Sequence, residues 1–238
     1  MNKLFAFSLT LLVSNISLGQ ENETAKKDST QVLSEVVVSA HQLFGSKFRA
    51  KNRTGAAYYM DQEELQKFNI TDINRTLRSV PGVSIYEEDG MGLRPNISLR
   101  GTSPERSAKI TLMEDGVLIA PAPYSASAAY YFPTIARMQA VEILKGSSQI
   151  QYGPYTTGGA INLVSKVIPQ DNSTQLLAQY GAFNSSLFNL SHGATKGKWG
   201  YLADYTRYDS DGFKTLPNDG NTGFDKQDFV GKIKYSDV

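Results

Sequence analysis

Apolar and polar positions alternate with a period of two over Val141-Glu142-Ile143-Leu144-Lys145. An extended chain here puts Val141, Ile143 and Lys145 on one side and Glu142 and Leu144 on the other. Gly146 ends the segment, and a second apolar strand follows over Ala160-Ile161-Asn162-Leu163-Val164. Gly153-Pro154 and Gly158-Gly159 precede it. Glycines beside a strand permit a turn at positive φ or a close backbone approach. The gap between Gly153 and Gly158 also fits a phosphate-binding loop, but Gly159-Ala160 stands where that loop needs Lys-Ser/Thr, so a nucleotide site is rejected.

Upstream, Ala56 to Met60 reads as a short strand. Asp61 is expected to cap a helix through Lys67, with Glu63 and Glu64 favourably placed in its first turn. Thr71 is expected to cap a second helix over 72–79, with Ile73 and Leu77 on one face and Pro81-Gly82 as its stop. Val83 to Tyr86 begins a strand, 87–95 is a loop, and Asn96 to Gly101 follows. Ile110–Met113 and Val117–Ile119 flank Asp115-Gly116, a strong hairpin signal. Pro121 to Ser125 is a loop, since two prolines exclude a central strand. The order strand, helices, strand, hairpin, strand, strand predicts a compact α+β unit over 52–166.

After Lys166 the helix signals vanish. Strands are predicted over 174–180, 185–192, 198–208 and 228–235, with glycines in the connectors. In the third, Trp199, Tyr201, Ala203 and Tyr205 share one face, and Leu202, Asp204 and Thr206 the other. In the fourth, Phe229, Ile233 and Tyr235 oppose Lys232 and Lys234. Alternating segments of about ten residues with aromatic ends suit a transmembrane β-barrel, though a soluble sheet with one wet face reads much the same.

The N-terminus adds an export signal. Met1-Asn2-Lys3 is positive, Leu4 to Val13 is apolar, and Ser17-Leu18-Gly19 predicts cleavage before Gln20. The apolar run is too short to span a membrane as a helix. Residues 20–51 read as a disordered leader, ending in a basic linker with Lys47, Arg49 and Lys51. Within it Glu35-Val36-Val37-Val38-Ser39-Ala40 is β-prone. The residues fit equally an ordinary first strand or a segment that adds to another protein's sheet edge.

The 238 residues contain no cysteine and only two histidines, His41 and His192, at a net charge of +1. Disulfides, thiol catalysis and cysteine-based zinc sites are excluded, and nothing favours nucleic acid as a partner. No nucleophile–base constellation is visible, and the adjacent carboxylates Glu114 and Asp115 read as turn residues. Asp209-Ser210-Asp211-Gly212 begins like a calcium loop but lacks the closing glutamate. No catalytic metal or cofactor is expected.

From about Glu35 onward the chain resembles TonB-dependent outer-membrane receptors, on Val141 to Ser165, Leu77-Arg78-Ser79-Val80-Pro81-Gly82-Val83, Asn96 to Gly101 and the 35–40 segment in the family's order. The resemblance is strongest to the ferric-dicitrate and siderophore branch. It implies a signal peptide at 1–19, a TonB box at 35–40, a plug at 52–166 and the first strands of an incomplete barrel at 167–238. The implied partners are TonB, a ferric chelate and outer-membrane lipid, with the plug inside the barrel and the N-terminus periplasmic. Arg100 and Glu142, and secondarily Lys145, would form a charge latch between plug and barrel. Arg94, Pro95, Asn96, Arg106, Pro123 and Tyr124 are the expected ligand-facing residues. An additional N-terminal signalling domain is not expected between Gln20 and Glu35. The family closes about 22 strands, so four strands ending at Ser236-Asp237-Val238 are expected to be a fragment of a longer receptor. Cobalamin or a glycan is the alternative ligand, and a periplasmic binding module without a barrel the alternative role.

Overall fold

The computed structural model describes residues 42–67, 71–120, 131–146, 152–153, 157–217 and 220–236. The 35–40 segment, Pro123 and Tyr124 lie outside them.

A five-stranded sheet forms from β1 (Ala56–Asp61), β4 (Ile110–Glu114), β5 (Val117–Ala120), β6 (Met138–Lys145) and β7 (Gly159–Ser165), in the order β1-β6-β7-β4-β5. β7 runs parallel to β4 and antiparallel to β6. β2 (Val83–Tyr86) and β3 (Asn96–Leu99) form a separate hairpin. Asp115 and Gly116 both take positive φ (49° and 78°) in the β4–β5 turn, the mirror-image geometry that Asp-Gly favours. β7 is buried along its whole length. Gly159 sits at φ +140, where a Cβ would come within 2.0 Å of the Leu144 carbonyl oxygen. Only glycine admits the β6–β7 contact there.

The two faces of this sheet are covered differently. On one, Met60, Ile110, Leu112, Val141, Ile143, Ile161 and Leu163 pack with Leu65 of α2 (Gln62–Gln66), Ile73 and Leu77 of α3 (Ile73–Arg78), and Ile97 and Leu99 of β3. On the other, Leu144 meets Phe44 and Ala50, with Leu43, Ala57, Tyr59 and Tyr152 around them. Asp61 caps α2 through the Glu64 N–H, as expected. The cap of α3 is Asp72, not Thr71: its side chain accepts from the Asn74 N–H at 2.8 Å.

A second correction concerns the leader. Residues 42–52, read as solvated linker, are ordered, with α1 (Lys47–Asn52) capped by Ser46. Phe44 and Ala50 are each only 5 % exposed. α1 has six residues and a single buried side chain, too little apolar periodicity to be legible.

β8 (Ser173–Gly181), β9 (Ser185–Lys196), β10 (Trp199–Ser210) and β11 (Phe224–Tyr235) form an antiparallel sheet in sequence order. Its polarity is inverted relative to a soluble sheet. Asn189, Ser191, Asp204, Thr206 and Asp228 are buried, while Leu176, Tyr180, Trp199, Phe229, Ile233 and Tyr235 are exposed. The apolar outer band runs from the Trp199–Tyr235 ring contact at one end to the Arg207–Asp225 ion pair at the other. Outward apolar residues alternating with inward polar ones, bounded by aromatic rings, are the pattern of strands that face lipid.

Candidate functional site

Three lysine- or arginine-centred clusters join the five-stranded unit to the inner face of β8–β11. Arg137 lies in a 3-10 turn (Ile135–Arg137) just before β6 and is 2 % exposed. Its guanidinium makes a bidentate pair with Glu114 and donates to the Tyr131 hydroxyl at 2.6 Å. Its Nε lies 3.6 Å from Asp228 Oδ2 on β11, an ion contact without a hydrogen bond. Asp228 also accepts from the Thr134 N–H at 3.0 Å and the Thr134 hydroxyl at 2.5 Å. Burial alone would lower the Arg137 pKa, but the hydrogen bonds and charge of Glu114 hold it raised.

The second cluster follows β7. Lys166 Nζ donates to Asn189 Oδ1 at 2.7 Å and Asp204 Oδ2 at 2.9 Å. Asn189 in turn donates to Asp204 Oδ1 at 2.7 Å and Thr206 Oγ1 at 2.8 Å. In the third, Lys232 of β11 reaches Asp115 at 3.1 Å and Ser165 at 2.5 Å. Asp115 is tied down by the Ser165 N–H at 2.9 Å. Lys226 adds a bond to the Phe132 carbonyl. Buried pairs such as Lys166–Asp204 specify one arrangement more than they stabilise it, because desolvation offsets the Coulomb gain; Lys232 and Asp115 are partly exposed.

Toward the end of the strands that carries the 182–184 turn, a cavity of about 860 Å³ opens between the two sheets' elements. Asp72, Arg75 and Met91 line one side, and Tyr180, Phe183 and Tyr208 the other. Thr71 Oγ1 and Tyr208 Oη lie 3.3 Å apart at its edge. Burial raises the Asp72 pKa from its ordinary value.

Residues 49–160 match the family model of the TonB-dependent receptor plug domain. This segment is a TonB-dependent receptor plug domain. Plug and strands together superpose on solved receptors. The unliganded ferric citrate transporter FecA aligns with a TM-score of 0.68 at 24% identity, over 81% of this chain and 30% of that one. The ferric yersiniabactin uptake receptor FyuA of Yersinia pestis gives 0.60 at 23%, over 77% and 29%. The siderophore receptor PirA of Acinetobacter baumannii gives 0.61 at 19%, over 85% and 31%. At these identities the likeness establishes the fold. Among curated proteins, the vitamin B12 transporter BtuB of Vibrio cholerae serotype O1 (strain ATCC 39541 / Classical Ogawa 395 / O395) is 24% identical over 225 residues, 94% of this chain and 35% of that protein. The chain therefore spans about a third of the length of the relatives it matches.

Among the described residues, the three expected latch residues have the following partners. Glu142, fully buried on β6, accepts from the backbone N–H groups of Leu43, Phe44 and Gly45 and from Asn162 Nδ2. Arg100 is exposed at φ +54 and stands against Gly146 instead. Lys145 donates to the Pro81 carbonyl, its pKa lowered by burial and by the Arg100 charge. Arg100 and Lys145 are thus neighbouring cations.

Of the expected ligand-facing residues, Arg94 and Arg106 are exposed. Pro95 and Asn96 are not available: both are buried, and Asn96 spends its amide on Glu88 and on the Arg106 N–H. The residues that join plug to strands were not singled out by sequence. Arg137 and Lys166 sit beside predicted strands like any exposed cation, and Glu114 and Asp115 were assigned to the turn. The available signal lay in the inward faces of the later strands, where Asp204, Asp228 and Lys232 demand buried partners.

Proposed function

We propose that this chain is the N-terminal part of an outer-membrane receptor that takes up ferric chelates with energy delivered by TonB. The observation that carries the reading is the inverted polarity of β8–β11. Their polar side is consumed by Arg137, Lys166 and Asp115 of the plug, and their apolar side is left outward. A plug enclosed by a lipid-facing wall accounts for both. Residues 35–40 are the TonB contact on the periplasmic side, and the export signal delivers the chain there. The transported ligand is a ferric chelate such as ferric citrate, with no resident cofactor and no enzymatic step. Arg94 and Arg106, exposed on plug loops, would attract the anionic chelate, and the cavity between Arg75 and Tyr180 offers its seat. Arg100 and Lys145 would form the latch with carboxylates contributed by further wall strands. The ferric citrate and siderophore receptors among the structural neighbours support this ligand class.

Radioiron uptake by cells carrying the intact gene tests the proposal. Accumulation from ferric citrate or a siderophore complex, abolished by deleting 35–40, is expected. Similarity to the vitamin B12 transporter favours a second reading. Accumulation of labelled cobalamin without iron uptake would establish it. Uptake of neither, with the product in the periplasmic soluble fraction, would overturn transport and leave a binding role.

A further inference from the structure

We propose that Glu142 is a clasp that fastens residues 43–45 to the plug, and that opening it frees the whole strap over 42–52. Three consecutive backbone N–H groups converge on one carboxylate: Leu43 on Oε2 at 2.6 Å, Phe44 on Oε1 at 3.0 Å and Gly45 on Oε1 at 2.7 Å. Gly45, at φ +71, shares the acceptor oxygen of its neighbour Phe44. Successive N–H groups in such a turn form an anion-binding concavity. Here the anion is the protein's own, supplied from the middle of β6 and 0 % exposed. The fourth donor, Asn162 Nδ2 at 2.9 Å, comes from β7, and Asn162 Oδ1 accepts from Gly116 of the β4–β5 turn. The carboxylate is therefore rigidly presented by the sheet, whereas three of its four donors belong to the strap.

The rest of the strap is held weakly. Phe44 and Ala50 share a small cluster with Leu144, and Phe44 meets Tyr59 edge-on at 6.0 Å. Lys47 pairs with Asp61 at 2.7 Å and Glu64 at 3.4 Å, but the lysine is half exposed and its contribution is screened. Glu142 is thus the principal polar fastening. Its donors are also first in line for a pull from the N-terminal side, and they load one after another rather than together. Leu43 follows Ala40 by three residues, at most about 10 Å of extended chain. Release of 43–52 would extend the reach of the preceding segment by up to about 35 Å. The identity of whatever pulls rests on the TonB reading of 35–40; the clasp does not.

Limited trypsin digestion of the folded full-length receptor in detergent tests the clasp, because Lys47, Arg49, Lys51 and Arg53 lie in or beside the strap. Glu142→Gln leaves one acceptor oxygen and turns an N–H₂ toward N–H donors. Leu43→Pro removes one donor and leaves the carboxylate intact. Both are expected to accelerate cleavage over 47–53 by about tenfold or more, the loss of one charge-assisted hydrogen bond. Cleavage in the exposed 196–198 turn serves as reference and should not change. Wild-type rates over 47–53 in both variants would overturn the proposal. If Glu142→Gln accelerates cleavage at every site, it has unfolded the plug, and Leu43→Pro decides. Binding of the TonB C-terminal domain to the wild-type receptor is measured separately: its absence would sink the TonB reading while leaving the clasp standing.

Discussion

Lys166 Nζ lies 2.9 Å from Asp204 Oδ2, with both side chains more than nine-tenths buried between the end of the plug and the wall strand β10. The lysine is the first residue after β7, so the link is made at the point where the chain leaves the plug. Removing one partner strands the other charge. Lys166→Met and Asp204→Leu should therefore each destabilise the protein by about 3–5 kcal/mol, whereas the two combined should recover most of that loss. Apparent melting temperatures of the four members of the cycle measure it. A loss in the double variant equal to the sum of the two single losses would show that the two residues are not coupled.

Arg137 makes a different demand, on geometry rather than charge. Its planar fork serves Glu114 on the plug while its Nε faces Asp228 on β11. An ammonium cannot reproduce two parallel bonds and a third contact. Arg137→Lys is expected to loosen the plug although the charge is kept. The readout is protease resistance of the 131–137 segment in purified receptor, and wild-type resistance would count against the role.

The pattern of positions made most of the architecture legible, and the limits were physical. Period-two alternation located every strand of the wall, because a sheet with unlike faces must write its two environments into alternate residues. Asp115-Gly116 announced its hairpin through the positive φ it requires. The partner of Glu142 was not legible. Three of its four donors are backbone N–H groups 97–99 residues away, which every sequence possesses, so no residue type marks them. Arg100 matched a motif, yet its side chain lies near Lys145 and Gly146. The N-terminal boundary failed for a related reason: α1 is held by one buried alanine and by Phe44 ahead of it, too sparse a pattern to separate from a basic linker.

Gly159→Ala tests the tightest contact in the plug. The added methyl would need to occupy space 2.0 Å from the Leu144 carbonyl oxygen and 2.8 Å from Leu99 Cδ1, at a φ of +140 that alanine avoids. Both β6 and β7 would have to part, so a loss above about 3 kcal/mol is expected. The receptor should lose its folded plug, seen as proteolysis across 110–165. Gly181→Ala is the control, since nothing lies within 4 Å of its added methyl.

The pH dependence of the strap is predicted by Asp61. Burial pushes its carboxyl up, but the Lys47 ammonium and the Glu64 N–H outweigh this and leave its pKa below the usual value. A carboxyl depressed in the folded state contributes stability above its unfolded pKa of about 3.9, and that contribution disappears as pH falls through the folded value. Asp61→Asn keeps a capping oxygen and removes the charge. The stability difference between wild type and this variant should be constant above about pH 5 and shrink below about pH 4. A difference that persists undiminished into acid would show that the Lys47 contact contributes nothing.

The lipid-facing reading makes a prediction opposite to the one for a soluble sheet. Phe229 is 73 % exposed on β11, in the row shared with Tyr205 and Leu190 between the Trp199–Tyr235 contact and the Arg207–Asp225 pair. If water were the outer solvent, Phe229→Arg would be neutral or favourable. With lipid outside, it should cost about 2–4 kcal/mol, while Tyr235→Arg at the aromatic rim should cost about 0–1 kcal/mol. Folding efficiency of the full receptor into lipid vesicles, followed by heat-modifiable mobility, separates the two. Equal tolerance of arginine at both positions would mean that the apolar band does not meet a bilayer, and the wall assignment would fall with it.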